Sequence, residues 1–157
     1  MVGVYLAGAI RFSPEEEQYD RDWRTFVQLS LHDEFSNNVT IYDPIRDESY
    51  KGEGTWKLYD GKFKSTPNMI LHKDLAAIKQ SDIIFMNLIP FNVGHPNVGT
   101  FMELGIAVAE RKLLVVITDN FYLANYPLLT AAVTAQFSNV EMGVEFTKGL
   151  IRTLIGQ

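Results

Sequence analysis

Glu103 is the residue of this chain best placed to do chemistry. It lies in the segment Asn97-Val98-Gly99-Thr100-Phe101-Met102-Glu103-Leu104-Gly105-Ile106-Ala107. An apolar run, Ile83-Ile84-Phe85-Met86-Asn87-Leu88, precedes that segment and reads as a buried strand. The amphipathic run from Leu104 to Arg111 reads as a helix. A glycine-containing loop therefore leaves a strand end, and Glu103 is expected in the first turn of the next helix. In open parallel α/β sheets, ligands bind where strands end and helices begin. A carboxylate there can attack, or exchange a proton with, a small polar substrate. The spacing Thr100-x-x-Glu103 also fits a capping box, in which the glutamate only bonds the backbone of the helix start.

Asp74 is the second carboxylate. The apolar stripe of its helix is read as Ile70, Leu71, Leu75 and Ile78, which puts Asp74 on the border of the stripe and Lys73 pointing away. A border position suits a carboxylate facing a cleft, and equally an ordinary solvated acid. Other constellations fall short of a chemistry. Gly94-x-x-x-x-Gly99-Thr100 lacks the lysine of a phosphate-binding P-loop, leaving only an amide-rich helix start that suits one phosphate or hydroxyl. The first strand is not followed by Gly-x-Gly-x-x-Gly. His32, His72 and His95 lack metal-ligand spacing, and there is no Ser/His/Asp nucleophile elbow.

The elements that must position these residues alternate. Strands are expected at Val2–Ala7, Val39–Tyr42, Asp82–Leu88 and Leu113–Thr118, with a fifth at Val140–Met142. Helices are expected from Pro14 to about Phe35, from Thr66-Pro67 to about Gln80, from Gly99 to Arg111, from Pro127 to Ala135 and from Glu145 to Ile155. Ser13-Pro14-Glu15-Glu16-Glu17 opens the first helix with a cap, a proline and acids at the positive dipole end. Such alternation argues for an α/β domain whose parallel sheet is covered on both faces. Residues Ile45–Ser65 break the rhythm: this polar connection carries Tyr50, Trp56, Tyr59 and Phe63, and suits a binding loop, a surface excursion or a subunit contact.

Composition bounds the partners. The chain has 157 residues, 46% of them hydrophobic, enough for one domain with a real core. Its net charge of −5 is spread out, with no basic stripe. Nucleic-acid polymers and anionic membranes are therefore poor partners. Without cysteine, a disulfide, a thiol nucleophile or a cysteine zinc site is excluded. No apolar run approaches bilayer length and the chain opens without a signal-peptide pattern, so a soluble cytoplasmic protein is expected.

Three segments carry a family resemblance. Tyr5-Leu6-Ala7-Gly8, Asp74-Leu75-x-x-Ile78-x-x-x-Asp82 and Gly99-x-x-x-Glu103-Leu104-Gly105-x-Ala107 resemble, in order and spacing, the nucleoside 2-deoxyribosyltransferase family. Asp43 and Tyr50-Lys51-Gly52 in the long connection, and Tyr126-Pro127-Leu128, also look like family segments. The resemblance covers nearly the whole chain, residues 1–157 read as one domain. It implies a flavodoxin-like, doubly wound, five-stranded parallel sheet, assembled as dimers or dimer-based hexamers with shared sites. It implies Glu103 as the nucleophile on C1′ of a 2′-deoxynucleoside, Asp74 as the acid for the departing base and Tyr5 as the hydroxyl that holds the nucleophile. Gly8, Arg11, Asp43, Ser49, Asn97, Gly99 and Thr130 are the implied substrate contacts. A covalent sugar ester would explain retention of configuration. No metal or organic cofactor is needed for such a displacement.

The chain departs from that pattern at two positions. Deoxyribosyltransferases usually carry an aspartate at the position of Asn97, and the asparagine lent by a neighbouring subunit corresponds to Leu129, followed by Thr130. Related hydrolases of deoxynucleoside 5′-monophosphates have a neutral hydroxyl residue at the first position, a serine near Thr130 and an Ile-Arg like Ile10-Arg11. Neutral and cationic groups suit a 5′-phosphate, although Asn97 and Thr130 also suit a hydroxyl. The expected function is deoxyribosyl transfer between bases, with monophosphate N-glycoside hydrolysis as the alternative. A non-catalytic nucleotide-binding module is the third reading. Expected partners are a small nucleoside or nucleotide and a free nucleobase.

Overall fold

The structure is a computed structural model that describes residues 1–10, 14–45, 48–50, 56–58, 64–65, 67–89 and 97–156, with only the backbone at Pro14, 48–50, 56–58, 64–65 and Pro67. Strand β1 (Val2–Gly8) is buried along its whole length. Its alternating side chains feed two separate cores, as the period of two requires. Val2, Val4 and Leu6 pack with Val27 and Leu31 of helix α1 (Pro14–Phe35) and with Val144 and Ile151 of helix α6 (Val140–Ile155). Tyr5 and Ala7 face the opposite way, toward Ile78 of helix α2 (Pro67–Gln80) and Ala107 of helix α3 (Val98–Ala109). A strand buried on both faces must be covered by helices on both, which is the doubly wound arrangement.

Five strands form the central sheet. They are β1, β2 (Val39–Tyr42), β6 (Ile83–Asn87), β7 (Leu113–Ile117) and β8 (Ala135–Phe137), in the order β2-β1-β6-β7-β8 and all parallel. The chain passes from β1 through α1 to β2, then returns across β1 through α2 to β6. That reversal places the topological switch point between β1 and β6, at their carboxyl ends. The expected single-domain, five-stranded α/β fold is the one observed.

The C-terminal part differs from the expected pattern. Val140–Met142 is not a strand but the first turn of α6, and the fifth strand is Ala135–Phe137. Asn139 accepts from the Met142 amide at 2.9 Å, an N-cap that starts a helix. Val140, Val144, Thr147 and Ile151 then recur at helical spacing on the buried face. Gly143 is needed there, because a Cβ would stand 2.3 Å from Ile117 Cδ1. The helix expected from Pro127 to Ala135 is α5 (Pro127–Ala132), which ends three residues earlier because Ala135 opens the fifth strand, and a further short helix, α4 (Phe121–Ala124), precedes it.

The long connection is not wholly irregular. Residues 48–50, 56–58 and 64–65 form strands β3, β4 and β5 of a small antiparallel sheet. Tyr59 and Phe63 lie outside the described residues. Among the described residues, no helix is long and apolar enough to cross a membrane.

Candidate active site

Glu103 and Tyr5 meet directly. The Tyr5 hydroxyl donates to Glu103 Oε1 at 2.6 Å, across 98 residues of sequence. Tyr5 sits in mid-strand, only 1% exposed, between Tyr42 of β2 and Ile84 of β6. Glu103 approaches from α3, which starts at Val98 with Asn97 as its N-cap residue. The glutamate is therefore in the second turn, not the first. The capping box is not formed: Thr100 is buried inside the helix and no side chain caps its start. Glu103 is bonded to a sheet residue and is half-buried.

Burial pushes the Glu103 carboxyl up to about 7; the Tyr5 hydrogen bond pulls down, Asp74 pushes up and Arg24 pulls down. Burial, followed by the charges of Glu103 and Asp74, drives the Tyr5 phenol well above its ordinary value. Tyr5 thus remains a hydrogen-bond donor at any physiological pH, while Glu103 exchanges its proton near neutrality.

Asp74 shares a cleft of about 370 Å³ with Tyr5, Tyr42, Asp43, Pro44 and Lys73. Its helix is turned further than the apolar pattern implied. Leu71 is 39% exposed, whereas Ile70, Asp74, Ala77 and Ile78 lie on the packed side. Asp74 is thus half-buried at the cleft, and its charge reaches both Glu103 and Tyr5.

Asp43 lines the same cleft, and both its oxygens are engaged. Oδ2 accepts from Gln28 Nε2 at 2.8 Å, and Oδ1 accepts from the Ile45 amide at 3.1 Å. Arg24 Nε stands 3.5 Å from that Oδ1. Gly8 ends β1 beneath this corner: a Cβ there would lie 2.8 Å from the Trp23 ring and 3.0 Å from the Asn87 carbonyl. A side chain at residue 8 would push the strand away from α1.

The other expected contacts lie elsewhere. Asn97 Nδ2 is buried without a hydrogen-bond partner, and Gly99, the second residue of α3, has open space where a Cβ would stand. Thr130 is exposed on α5, donating to its own helix at Pro127, and does not line the cleft. Leu129 is buried in the core with Ala107 and Ile84, so it cannot reach a neighbour's site. Arg11 and His95 lie outside the described residues, as does the side chain of Ser49. Among the described residues, no three potential metal ligands cluster.

Sequence reasoning missed Arg24 and Gln28, which fix Asp43 from α1. One signal was available: on α1, Asp20, Trp23, Arg24, Val27 and Leu31 form the buried stripe. A charged residue in an apolar stripe is a residue with partners.

An all-parallel five-stranded sheet covered by helices on both faces, with Glu103, Asp74 and Asp43 grouped around Tyr5, defines a doubly wound α/β class of protein. The match to known proteins narrows it: the sequence model of the nucleoside 2-deoxyribosyltransferases covers residues 4–148, and the chain belongs to that family. No curated protein matches it. Among solved structures it is similar to a 2-desoxiribosyltransferase from Leishmania mexicana, at 23% identity and a TM-score of 0.51, covering 76% of this chain and 66% of that one. A conserved protein from Enterococcus faecalis has 16% identity and a TM-score of 0.64 over 92% of this chain and 96% of that one. The CMP N-glycosidase BcmB from Clostridium botulinum has 15% identity and a TM-score of 0.56 over 92% and 97%.

Proposed function

We propose that this chain cleaves the N-glycosidic bond of 2′-deoxynucleosides through a deoxyribosyl ester on Glu103 and transfers the sugar to a second base. The hydrogen bond from Tyr5 to Glu103, beside Asp74, carries the reading. In the first step a Glu103 oxygen bonds to C1′ while the C1′–N bond breaks, and its electron pair leaves with the base. Asp74, as the carboxylic acid, gives its proton to that base. In the second step the incoming base loses a proton to the Asp74 carboxylate and attacks C1′, releasing Glu103. Atoms and charges balance with these two carboxylates alone, so the mechanism invokes no cofactor. Tyr5 orients one oxygen of Glu103 and leaves the other for attack.

A second reading, hydrolysis of deoxynucleoside 5′-monophosphates, is favoured by Asn97. Its buried, unpaired Nδ2 donor at the start of α3 suits an anionic acceptor. The resemblance to a CMP N-glycosidase along most of both chains points the same way. Thr130 and Arg11 belong to this reading as contacts to the 5′ end. Thr130 would be supplied by a neighbouring copy, since it faces outward on α5.

The proposal includes a homo-oligomer with shared sites. Phe121, Tyr122, Tyr126 and Leu128 on α4 and α5, and Val98 and Met102 on α3, are exposed apolar residues of the kind an interface covers. Incubation with deoxyinosine or dCMP, with and without a second free base, tests the function by chromatography of the products. Base exchange on nucleosides supports transfer; free base and deoxyribose 5-phosphate from dCMP alone support hydrolysis. No base release from either substrate would leave only a binding module.

A further inference from the structure

Arg24 is the most deeply buried charge of the described structure, 1% exposed on the inner face of α1. Its guanidinium lies 4.3 Å from the Trp23 ring. Nη2 donates to the Gly8 carbonyl at 3.0 Å, and Nη1 donates to the Asp20 and Ala9 carbonyls at 2.9 and 3.4 Å. Nε, buried and without a hydrogen bond of its own, faces Asp43 Oδ1 at 3.5 Å. Taking an arginine out of water is costly, and a buried ion pair is weak grounds for stability. An apolar residue would fill the stripe of α1 at least as well. What the fork supplies, and a hydrocarbon cannot, is a rigid connection between two strand ends.

Both strands wall the cleft, β1 through Tyr5 and β2 through Ile41, Tyr42 and the Asp43 that follows it. Strand β1 carries Tyr5 and ends at Gly8, and β2 leads directly into Asp43. We propose that Arg24 is the positioning residue of this active site, tying the end of β1 to Asp43 so that the cleft wall and the Tyr5–Glu103 pair keep their relative geometry. The inference rests on the enzymatic reading above.

Its charge gives it a second consequence. Glu103 is faced by Tyr5 from β1, Asp74 from α2 and Arg24 from α1, and Arg24 is the cation of that set. Arg24 itself is faced by Asp43 from β2, Asp20 from its own helix, Glu103 from α3 and Tyr5 from β1. Burial pulls its pKa down, and these groups oppose the pull, Asp43 foremost. A guanidinium starts above about 12 and stays protonated in proteins, so it favours the ionised nucleophile.

The test compares Arg24→Gln, Arg24→Lys and Asp43→Asn with the wild type. Each is checked for folding by circular dichroism, and kcat and KM are followed from pH 5 to 9. Removing the cation in Arg24→Gln should move the acid limb of the kcat profile upward by on the order of one pH unit. The Glu103 carboxyl resonance, followed by carbon NMR, should move in the same direction whether or not substrate turns over. Arg24→Lys should leave the limb in place yet lower kcat by about 10-fold or more, since an ammonium lacks the planar fork. Asp43→Asn should lower kcat with the limb unmoved or shifted downward, because Arg24 keeps its charge.

A folded Arg24→Gln protein whose limb and Glu103 titration match the wild type overturns the proposal. If that variant does not fold, Arg24→Lys decides: folded and fully active, it shows the fork is not needed. A wild type inactive on deoxynucleosides and on their monophosphates removes the enzymatic reading instead, while the Glu103 titration still tests what Arg24 does.

Discussion

The two strand–helix junctions that border the site are built in opposite ways. At the β1–α1 corner every charged group meets an oppositely polarised one: Arg24 donates to three carbonyls, its Nε, which makes no hydrogen bond, faces Asp43 at 3.5 Å, and Asp43 is bonded by Gln28 and Ile45. At the start of α3, Asn97 caps nothing and its buried Nδ2 is unpaired, while Gly99 looks onto open space. Buried donors almost always have partners. The charges of the first corner are thus met within this chain, whereas the donor at the second is left open to a group from outside it. Rigidity on one side and an unpaired donor on the other suit a site of the proposed kind, which must hold Glu103 still and select its substrate.

Removing the proposed nucleophile breaks the comparison most severely. Glu103→Ala should abolish base release while the protein stays folded; an ester cannot form without an ionised oxygen, so losses of about 10⁴-fold or more are expected. Near-normal turnover by a folded variant would end the assignment. Asp74→Asn comes next, with losses of about 10²–10⁴-fold on natural bases and much smaller ones on a substrate whose leaving group needs no proton. Equal losses on both would reassign Asp74 to binding.

Asn97→Asp sharpens the open side. A carboxylate there would repel a 5′-phosphate while still accepting a hydroxyl proton. The ratio of dCMP to deoxycytidine cleavage should fall by about 10-fold or more, since charge-assisted bonds are roughly twice as strong as neutral ones. A ratio unchanged in Asn97→Asp would take this residue out of the phosphate site.

Stability should move with pH in a direction set by Glu103. Its folded pKa of about 7 lies above the ordinary 4.5, so the native state binds the extra proton between those values. The stabilising effect of that proton is complete below about 4.5 and is lost as pH rises through about 7. Glu103→Gln, which stays neutral, should therefore melt a few degrees above wild type at pH 8, equivalent to roughly 1–3 kcal/mol. The gap should close at pH 4.5. A variant less stable at pH 8 would mean that the ionised carboxylate supports the fold.

The smallest effects concern the two glycines. Gly8→Ala meets Trp23 and Asn87 and should cost about 1–3 kcal/mol. Gly99→Ala meets nothing in this chain and should change stability by at most about 1 kcal/mol, in the favourable direction. If Gly99→Ala nonetheless impairs turnover, substrate or a second copy approaches that helix start. Thermal melts and KM values separate the two cases.

Much of this was legible from patterns of two and of 3.6. Long buried runs such as Ile83–Asn87 announce parallel strands, and the strand–loop–helix around Glu103 marks the switch point. The fifth strand was not legible, because Ala135–Phe137 is short and half-buried, whereas Val140 and Met142 imitate strand alternation. The orientation of α2 was misjudged because Leu71 is apolar yet exposed, a common occurrence that hydropathy does not resolve. Arg24 escaped notice among the charged residues of α1, since only its position on the inner stripe separates it from Arg21. Its bonds to Gly8, Ala9 and Asp43 are tertiary, and no local pattern records them.

The separation of 98 positions between Tyr5 and Glu103 has a consequence for the birth of the site. Tyr5 is synthesised well before its partner, which arrives only after α1, β2, α2, β6 and the start of α3. Closing so long a loop precedes any reward from the contact it makes, so the pair forms with the global fold and not ahead of it. On the proposed function, partly folded chains would then lack the Tyr5–Glu103 pair and be inactive. In refolding, recovery of base release should coincide with the last cooperative step, even where helix content returns earlier.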